Sequence, residues 1–266
     1  MICKSQCVPN KKLELELELD NILSILRKLK TNKAPGMDNL HPRFLKELSQ
    51  SLLLPLQIIF SLSLSTCKVP SDWKKGQIRA IFKKGNNSLA GNYRPVSLTS
   101  IASKILETIV RDHIMSYMFK NSLFSDGKYG FLPRRSTSLQ LLNVIDKWTE
   151  AIDKGHTIDC IYMDYEKAFD TVPHKRLISK LKSYNFHSSI VTWVKDFLTG
   201  RSQQVKVNNK MSKWVEVTSG IPQGSVLGPI LFVIVINDMP DSVKSSIYLF
   251  ADETKIFNTI SSTDSA

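Results

Sequence analysis

The stretch Asp159-Cys-Ile-Tyr-Met-Asp164 predicts a buried strand that ends on a carboxylate, because a short apolar run leads directly into Asp164. A second acidic position lies in Ala251-Asp-Glu-Thr254, between strand-like segments at 246–250 and 255–259. We therefore expect Asp252 at the tip of a β-hairpin. Carboxylates on rigid strand ends suit Mg2+, which takes oxygen ligands in near-octahedral geometry.

Outward from these two positions, helical and strand-like periodicities are mixed along the chain. Helices are predicted at residues 20–30, 41–53, 97–119, 138–152, 174–184, 188–198 and 226–237. Further strands are predicted at 77–83 and as a hairpin of 203–207 with 213–217. Residues 13–19 alternate like a strand, but Leu and Glu also form helices well, so this segment stays open. The pattern predicts an α+β fold with antiparallel strands around the two acidic positions.

The composition favours a polyanionic partner. Lys and Arg number 36 against 24 acidic residues, giving a net charge of +12, and cationic surface gains free energy by releasing counterions from phosphates. The four cysteines, Cys3, Cys7, Cys67 and Cys160, lack companions at zinc spacing, so we expect free thiols in a reducing compartment. The apolar run 230–236 is too short to span a bilayer, and the N-terminus lacks a signal-peptide core. We expect a soluble intracellular protein, in the nucleus or cytoplasm, without a membrane partner.

Six sequence blocks, in order, carry a family resemblance. The downstream three are Ile161-Tyr-Met-Asp-Tyr-Glu-Lys-Ala-Phe-Asp-Thr-Val-Pro-His174, Gly220-Ile-Pro-Gln-Gly-Ser-Val-Leu-Gly-Pro229 and Tyr248-Leu-Phe-Ala-Asp-Glu-Thr254. The upstream three are Lys33-Ala-Pro-Gly-Met-Asp38, Asn92-Tyr-Arg-Pro-Val-Ser-Leu98 and Tyr129-Gly-Phe-Leu-Pro-Arg-Arg-Ser136. Together they resemble the reverse transcriptases of LINE-type retrotransposons, which have no long terminal repeats, and most nearly those of jockey-like elements.

The resemblance implies the right-hand polymerase fold, in which an antiparallel palm sheet packs on helices. It divides the chain into an N-terminal extension (1–19), fingers with associated helices (20–155) and a palm (156–266). The family continues after its third catalytic motif with a primer grip and a helical thumb, whereas only residues 256–266 follow that motif here. We therefore expect a chain truncated after the third motif, with an incomplete palm, no thumb and no preceding endonuclease domain.

The resemblance also implies an RNA-directed DNA polymerase, which joins dNTPs to a DNA primer on an RNA template with two Mg2+ ions, or with Mn2+ in their place. It assigns as catalytic metal ligands Asp164, Asp252 and Glu253, with the main-chain carbonyl of Tyr165. It assigns to the nucleotide Arg94 at the triphosphate, Tyr165, Phe169 as the gate against a ribose 2′-hydroxyl, and the turn at Gln223 and Gly224. Expected nucleic-acid contacts are Lys83, Lys84, Arg134 and Arg135.

Several alternatives stay open at this stage. Glu253 stands where the family has a second Asp, and because Mg2+ tolerates displaced ligands poorly we expect impaired activity. The chain is then either an active polymerase domain or a relic that only binds nucleic acid, with a two-metal nuclease as a third class. Single residues also have simpler interpretations. Phe169 could be an ordinary core residue, and Arg94 and the Arg134–Arg135 pair could be solvated surface cations. Asp170 could be a helix N-cap.

Overall fold

Helices and strands interleave along the chain, as the periodicity predicts. The computed structural model describes residues 15, 17–208 and 210–261. Its helices are α1 (Leu19–Arg27), α2 (Pro42–Glu47), α3 (Ser49–Thr66), α4 (Ile101–Lys120), α5 (Thr137–Asp153), α6 (His174–Ser183), α7 (Ser188–Leu198) and α8 (Gly228–Val235). Its strands are β1 (Lys75–Phe82), β2 (Tyr93–Leu98), β3 (Thr157–Asp164), β4 (Arg201–Val207), β5 (Lys210–Met211), β6 (Val215–Val217), β7 (Ser246–Phe250) and β8 (Glu253–Ile260).

Some predicted boundaries are wrong. The helix predicted at 97–119 begins only at Ile101, because residues 97 and 98 belong to β2 and Ser100 caps the helix by accepting from the Ser103 N–H at 3.3 Å. The helix predicted at 41–53 is interrupted at Leu48 and continues as α3. Of the open segment 13–19, Leu15 and Leu17 have no regular structure, Leu19 begins α1, and residues 13, 14 and 16 lie outside the described residues.

The strand β3 forms where it was predicted, but it is not buried. Ile161 is 60% exposed and Tyr162 is 66% exposed. The reason is its place in the fold, since β3 pairs only with β8 and is an edge strand of the described sheet. An apolar run predicts that a strand forms, but it does not predict which neighbouring elements cover that strand.

The strands form two sheets. The larger sheet has the order β2-β1-β4-β5, with β6 also pairing with β4; β1 is antiparallel to β2 and parallel to β4. The smaller sheet, β3-β8-β7, is antiparallel throughout. The antiparallel sheet around the predicted acidic positions is therefore present.

The hydrophobic core does not divide at the predicted boundary between residues 155 and 156. One buried cluster draws on both sides of it, including Leu106 from α4 and Leu231 from α8. A second, smaller cluster of Tyr129, Val144, Tyr248 and Phe257 lies between α5 and the small sheet. The larger sheet also crosses the boundary, because β4 follows residue 156 in sequence but pairs with β1. The two predicted segments thus share one core and one sheet.

Two composition-based expectations can be followed into the structure. Cys67 and Cys160 are free thiols, while Cys3 and Cys7 lie outside the described residues. Within the described ranges, no helix combines the length and the apolar character needed to cross a membrane.

Candidate active site

The end of β3 and the turn between β7 and β8 meet side by side. Asp164, the last residue of β3, pairs in register with Glu253, the first residue of β8. The next N–H along, that of Tyr165, donates to the main-chain oxygen of Asp252 at 3.3 Å. The backbone therefore brings Asp164 and Asp252, which are far apart in the sequence, to neighbouring positions at one edge of the small sheet.

Asp252 lies in a two-residue turn, as predicted. Phe250 pairs with Glu253, which leaves Ala251 and Asp252 as the turn residues, and Ala251 takes a φ of 53° in the left-handed region. The loop at 129–131 packs directly behind this turn. A Cβ at Gly130 would lie 2.3 Å from the Ala251 nitrogen, so the close approach requires glycine.

A second turn, at 220–224, is held by backbone hydrogen bonds from two directions. The Ile221 N–H donates to the Phe169 carbonyl at 2.8 Å. On the other side, the Ser97 N–H of β2 donates to the Gln223 carbonyl at 2.7 Å. Gly224 has a φ of 109°, and a Cβ there would lie 2.8 Å from the Ser97 oxygen. The turn is thus fixed between β2 and the loop that follows β3.

Asp170 orients the side chain at the centre of this turn. The Gln223 Nε2 donates to both carboxylate oxygens of Asp170, at 3.1 and 3.2 Å. Because a carboxylate only accepts, this contact fixes which end of the Gln223 amide is the donor. The prediction that Asp170 caps a helix is wrong, since α6 begins at His174 with Pro173 as its N-cap. The sequence signal for the contact of Asp170 with Gln223 is the position of Asp170 directly after Phe169.

Phe169 is both a packing residue and part of the cleft wall. Its ring is half-buried and stacks on Phe232 at a centroid distance of 4.8 Å, with Phe131 edge-on at 6.1 Å. The alternative interpretation of Phe169 as a core residue therefore holds for the face of the ring that packs on Phe232. The ring also lines the cleft that contains Asp164.

These elements surround one open cleft of about 1420 Å³. Most of the predicted site residues line it: Lys83, Arg94, Asp164, Tyr165, Phe169, Gln223, Gly224 and Asp252. Lys84, Arg134, Arg135 and Glu253 do not. Glu253 instead lines, with Asp164, a smaller cleft of about 370 Å³ beside the first turn of α5.

Arg135 has structural contacts that differ from the phosphate contact predicted for it. Its guanidinium donates to the main-chain oxygens of Ser125 (3.2 Å), Asp126 (2.9 Å) and Lys128, and lies 5.7 Å from the Tyr129 ring centroid. These contacts hold the loop that leads to Gly130. Arg134 is exposed, with a φ of 61°.

The two carboxylates at the strand ends, those of Asp164 and Asp252, fit the ligand preference of Mg2+. The Asp164 and Asp252 side chains make no hydrogen bond or ion pair with any residue that the structure describes. Mg2+ is commonly held by one or two carboxylates together with substrate phosphates. Over the same residues, no group of three or more Asp, Glu, His or Cys side chains is placed to hold a metal ion, so a three-carboxylate set with Glu253 is not assembled.

Residues 81–263, which include every cleft carboxylate, match the family model for reverse transcriptase (RNA-dependent DNA polymerase). The chain belongs to this reverse transcriptase family. Its α+β fold is therefore that of a reverse transcriptase domain.

Among similar reverse transcriptases are those of Drosophila mobile elements. The chain is 31% identical over 84% of its length to the probable RNA-directed DNA polymerase from transposon BS of Drosophila melanogaster. It is 32% identical over 84% of its length to the RNA-directed DNA polymerase from mobile element jockey of Drosophila funebris. It covers 25% and 24% of these relatives, about a quarter of each. The predicted resemblance to LINE-type, jockey-like reverse transcriptases is confirmed.

Proposed function

We propose that this chain is the fingers-and-palm part of an RNA-directed DNA polymerase, which joins deoxynucleotides to a primer 3′-hydroxyl on an RNA template. The observation that carries the proposal is the meeting of Asp164 and Asp252 at one edge of an antiparallel sheet. The small sheet corresponds to the palm and the β1–β2 hairpin to the fingers. Arg94 and Gln223 lie around the same cleft, as nucleotide binding requires.

The cleft residues divide the chemistry among them. Asp164 and Asp252, with the Tyr165 carbonyl, would hold two Mg2+ ions, which supply charge stabilisation at the attacking and leaving oxygens. Arg94 presents a fork of donors to the triphosphate, with Lys83 beside it. The primer hydroxyl displaces pyrophosphate from the nucleotide, which Arg94 and Lys83 would hold in line.

Two further residues select and seat the nucleotide. The Phe169 ring is fixed by its stacking on Phe232, so it fills the space that a ribose 2′-hydroxyl needs. Gln223 and Gly224 form a turn held by β2 and Asp170, which makes a rigid wall beside the nucleotide. Rigid placement matters because a misplacement of about 1 Å costs on the order of a hundredfold in rate.

Single-nucleotide primer extension with Mg2+ tests this proposal. We expect incorporation of a deoxynucleotide opposite an RNA template, and we expect Asp164→Ala to reduce it by more than about a hundredfold. Asp159→Ala is the matched control, since Asp159 is an exposed carboxylate on the same strand that does not line the cleft. Equal incorporation by the wild type and Asp164→Ala would contradict the proposal.

Glu253 gives the same assay a second comparison. Its carboxylate is one methylene longer than that of Asp, and the residue lines the smaller cleft. We expect Glu253→Asp to raise the incorporation rate by about 10- to 100-fold, because a shorter side chain is better placed to complete the metal ligands. An unchanged rate would show that the second acidic residue of the turn does not limit this chain.

A binding-only relic is the second candidate function, and the position of Glu253 favours it. Such a chain would hold an RNA–DNA hybrid with steep salt dependence but would incorporate no nucleotide. It would stay inactive even as Glu253→Asp. The extension assay with that variant therefore separates the two candidates.

A further inference from the structure

Two cations of the larger sheet lie directly opposite each other. Arg79 of β1 pairs in register with Lys206 of β4. Register partners on neighbouring strands are about 4.8 Å apart, and their side chains leave the same face of the sheet. Both residues line the large cleft. The sequence blocks assign no role to either position.

The cleft also contains Arg94, which the family resemblance assigns to the triphosphate, and Lys83, which is an expected nucleic-acid contact. Arg94 of β2 pairs with Ile81, which is two residues beyond Arg79 on β1, and Lys83 follows two residues later. Since side chains alternate along a strand, residues 79 and 81 project to one side, while Lys83 follows the end of β1. Arg94, Arg79 and Lys206 thus form a row of cations across three neighbouring strands, facing the cleft.

These cations have no acidic partner among the residues that the structure describes. Another cation of the cleft, Lys167, has its charge near a carboxylate, since its Nζ lies 3.8 Å from a Glu166 oxygen. No ion pair joins Arg79, Lys206, Arg94 or Lys83 to a described acidic residue. Like charges directly opposite each other destabilise a sheet. Arg79 and Lys206 therefore carry a cost in the free chain that an anionic ligand would relieve.

We propose that Arg79 and Lys206 form a phosphate subsite beside Arg94. The inference rests on the proposed function, which supplies phosphates to this cleft. Arg offers a planar fork of donors, and Lys a point charge, so the pair suits one phosphate group approached from two strands. That phosphate belongs either to the template strand or to the incoming nucleoside triphosphate.

The first arm measures binding of a template strand. Fluorescence anisotropy with an RNA template–DNA primer carrying a 5′ RNA overhang is recorded over a series of KCl concentrations. The plot of log K against log salt has a negative slope. We expect the magnitude of this slope to decrease by about one for Arg79→Ala or Lys206→Ala, and by about two for the double variant. Lys210→Ala is the matched control, because Lys210 is an exposed cation of the adjoining β5 that does not line the cleft.

The second arm measures the triphosphate. A fluorescent deoxynucleoside triphosphate is titrated into the preformed template–primer complex with Mg2+. If the subsite holds the triphosphate, Arg79→Ala and Lys206→Ala weaken this binding about tenfold or more while the salt slope of the first arm stays at the wild-type value. A change in either arm supports the subsite and identifies which phosphate it takes.

Melting temperature distinguishes a binding role from a structural one. Removal of one of two facing like charges is expected to leave the melting temperature unchanged or to raise it, so lost binding with retained stability supports the subsite. Wild-type binding in both arms, or losses in both arms equal to those of Lys210→Ala, would overturn the inference.

The two proposals fail separately. Binding in both arms needs no turnover, so a chain that extends no primer but responds to Arg79→Ala contradicts only the polymerase assignment. A chain that extends primers, with neither arm altered by Arg79→Ala and Lys206→Ala, contradicts only the phosphate subsite.

Discussion

At the residue scale, the contact between Asp170 and Gln223 has the clearest consequence. The Asp170 carboxylate fixes the Gln223 amide, and hydrogen bonds to charged groups contribute about 1.5–3 kcal/mol. We expect Asp170→Ala to lower kcat/KM for the incoming nucleotide by about tenfold or more, mainly through KM. Asp170→Asn retains an oxygen that can accept from Gln223, so it should recover most of the loss.

A double-substitution cycle in the same kinetic assay checks this role. If Asp170 acts through Gln223, then adding Asp170→Ala to Gln223→Ala produces little further loss. Additive losses in kcat/KM would mean that Asp170 acts independently of the amide, which would contradict a positioning role for this carboxylate.

The sequence predicted the positions of some residues better than their orientations. Asp164 and Asp252 were identified because each ends or interrupts a strand-like run, and the structure brings both into one cleft. Glu253 does not line this cleft but lines, with its register partner Asp164, the smaller cleft beside α5. Arg135 is held by loop carbonyls, a tertiary contact that neither periodicity nor motif spacing encodes.

At the scale of elements, the β7–β8 turn depends on the loop packed behind it. The Tyr129 N–H donates to the Leu249 carbonyl at 2.9 Å, and Gly130 leaves no room for a side chain against Ala251. A methyl group at Gly130 would collide with backbone at 2.3 Å, and overpacking of this kind costs about 1–3 kcal/mol. We expect Gly130→Ala to lower the free energy of unfolding by that amount, measured by urea denaturation.

Gly91→Ala is the control for the turn prediction. A Cβ at Gly91 meets nothing within 4 Å, so the same chemical change should cost little there. Equal stability of the two variants would contradict the tight contact between the Gly130 loop and the turn.

Element boundaries were predicted well where a periodic run had a clear local stop. Helix α5 (Thr137–Asp153) lies within one residue of its predicted ends, and Ser136 caps it by accepting from the Leu139 N–H. The start of α4 was missed because residues 93–98 pair with β1, and strand pairing overrode the helical pattern. The exposure of β3 was missed because burial depends on tertiary neighbours, which the local sequence pattern of a strand does not specify.

At the scale of the whole molecule, a buried lysine couples stability to pH. Lys128 is 2% exposed, and its Nζ donates to the Val233 carbonyl at 2.7 Å. Burial, and less so the neighbouring Lys180 cation, lowers the pKa of Lys128 from 10.5 to about 6, while Asp238 opposes the shift. Between these pH values the unfolded chain binds a proton that the folded chain does not, so stability rises with pH.

Urea unfolding at pH 6.5 and pH 9 tests this coupling. We expect the wild type to gain more stability over this interval than Lys128→Met, which has no titrating group there. Lys210→Met, at an exposed position, should behave as the wild type. An identical pH dependence in wild type and Lys128→Met would rule out a neutral Lys128 in the folded chain.

The predicted split into segments 20–155 and 156–266 shows what sequence order leaves out. The periodicity placed β1 and β4 correctly, but their parallel pairing joins the two segments into one sheet. Parallel partners are separated by long connections, so their pairing is a property of the assembled chain. The two predicted segments are therefore parts of one continuous structure, with a shared sheet and a shared core.

The chemistry proposed for the cleft depends on Asp164 and Asp252 holding metal ions together. Localised cleavage by Fe2+ with ascorbate and peroxide tests this without any need for turnover, because Fe2+ in a Mg2+ site cuts the chain nearby. We expect cuts next to both Asp164 and Asp252 that excess Mg2+ suppresses, and the loss of both sets in either Asp→Ala variant. Cuts at one segment alone, or cuts that persist in both variants, would contradict a shared metal site.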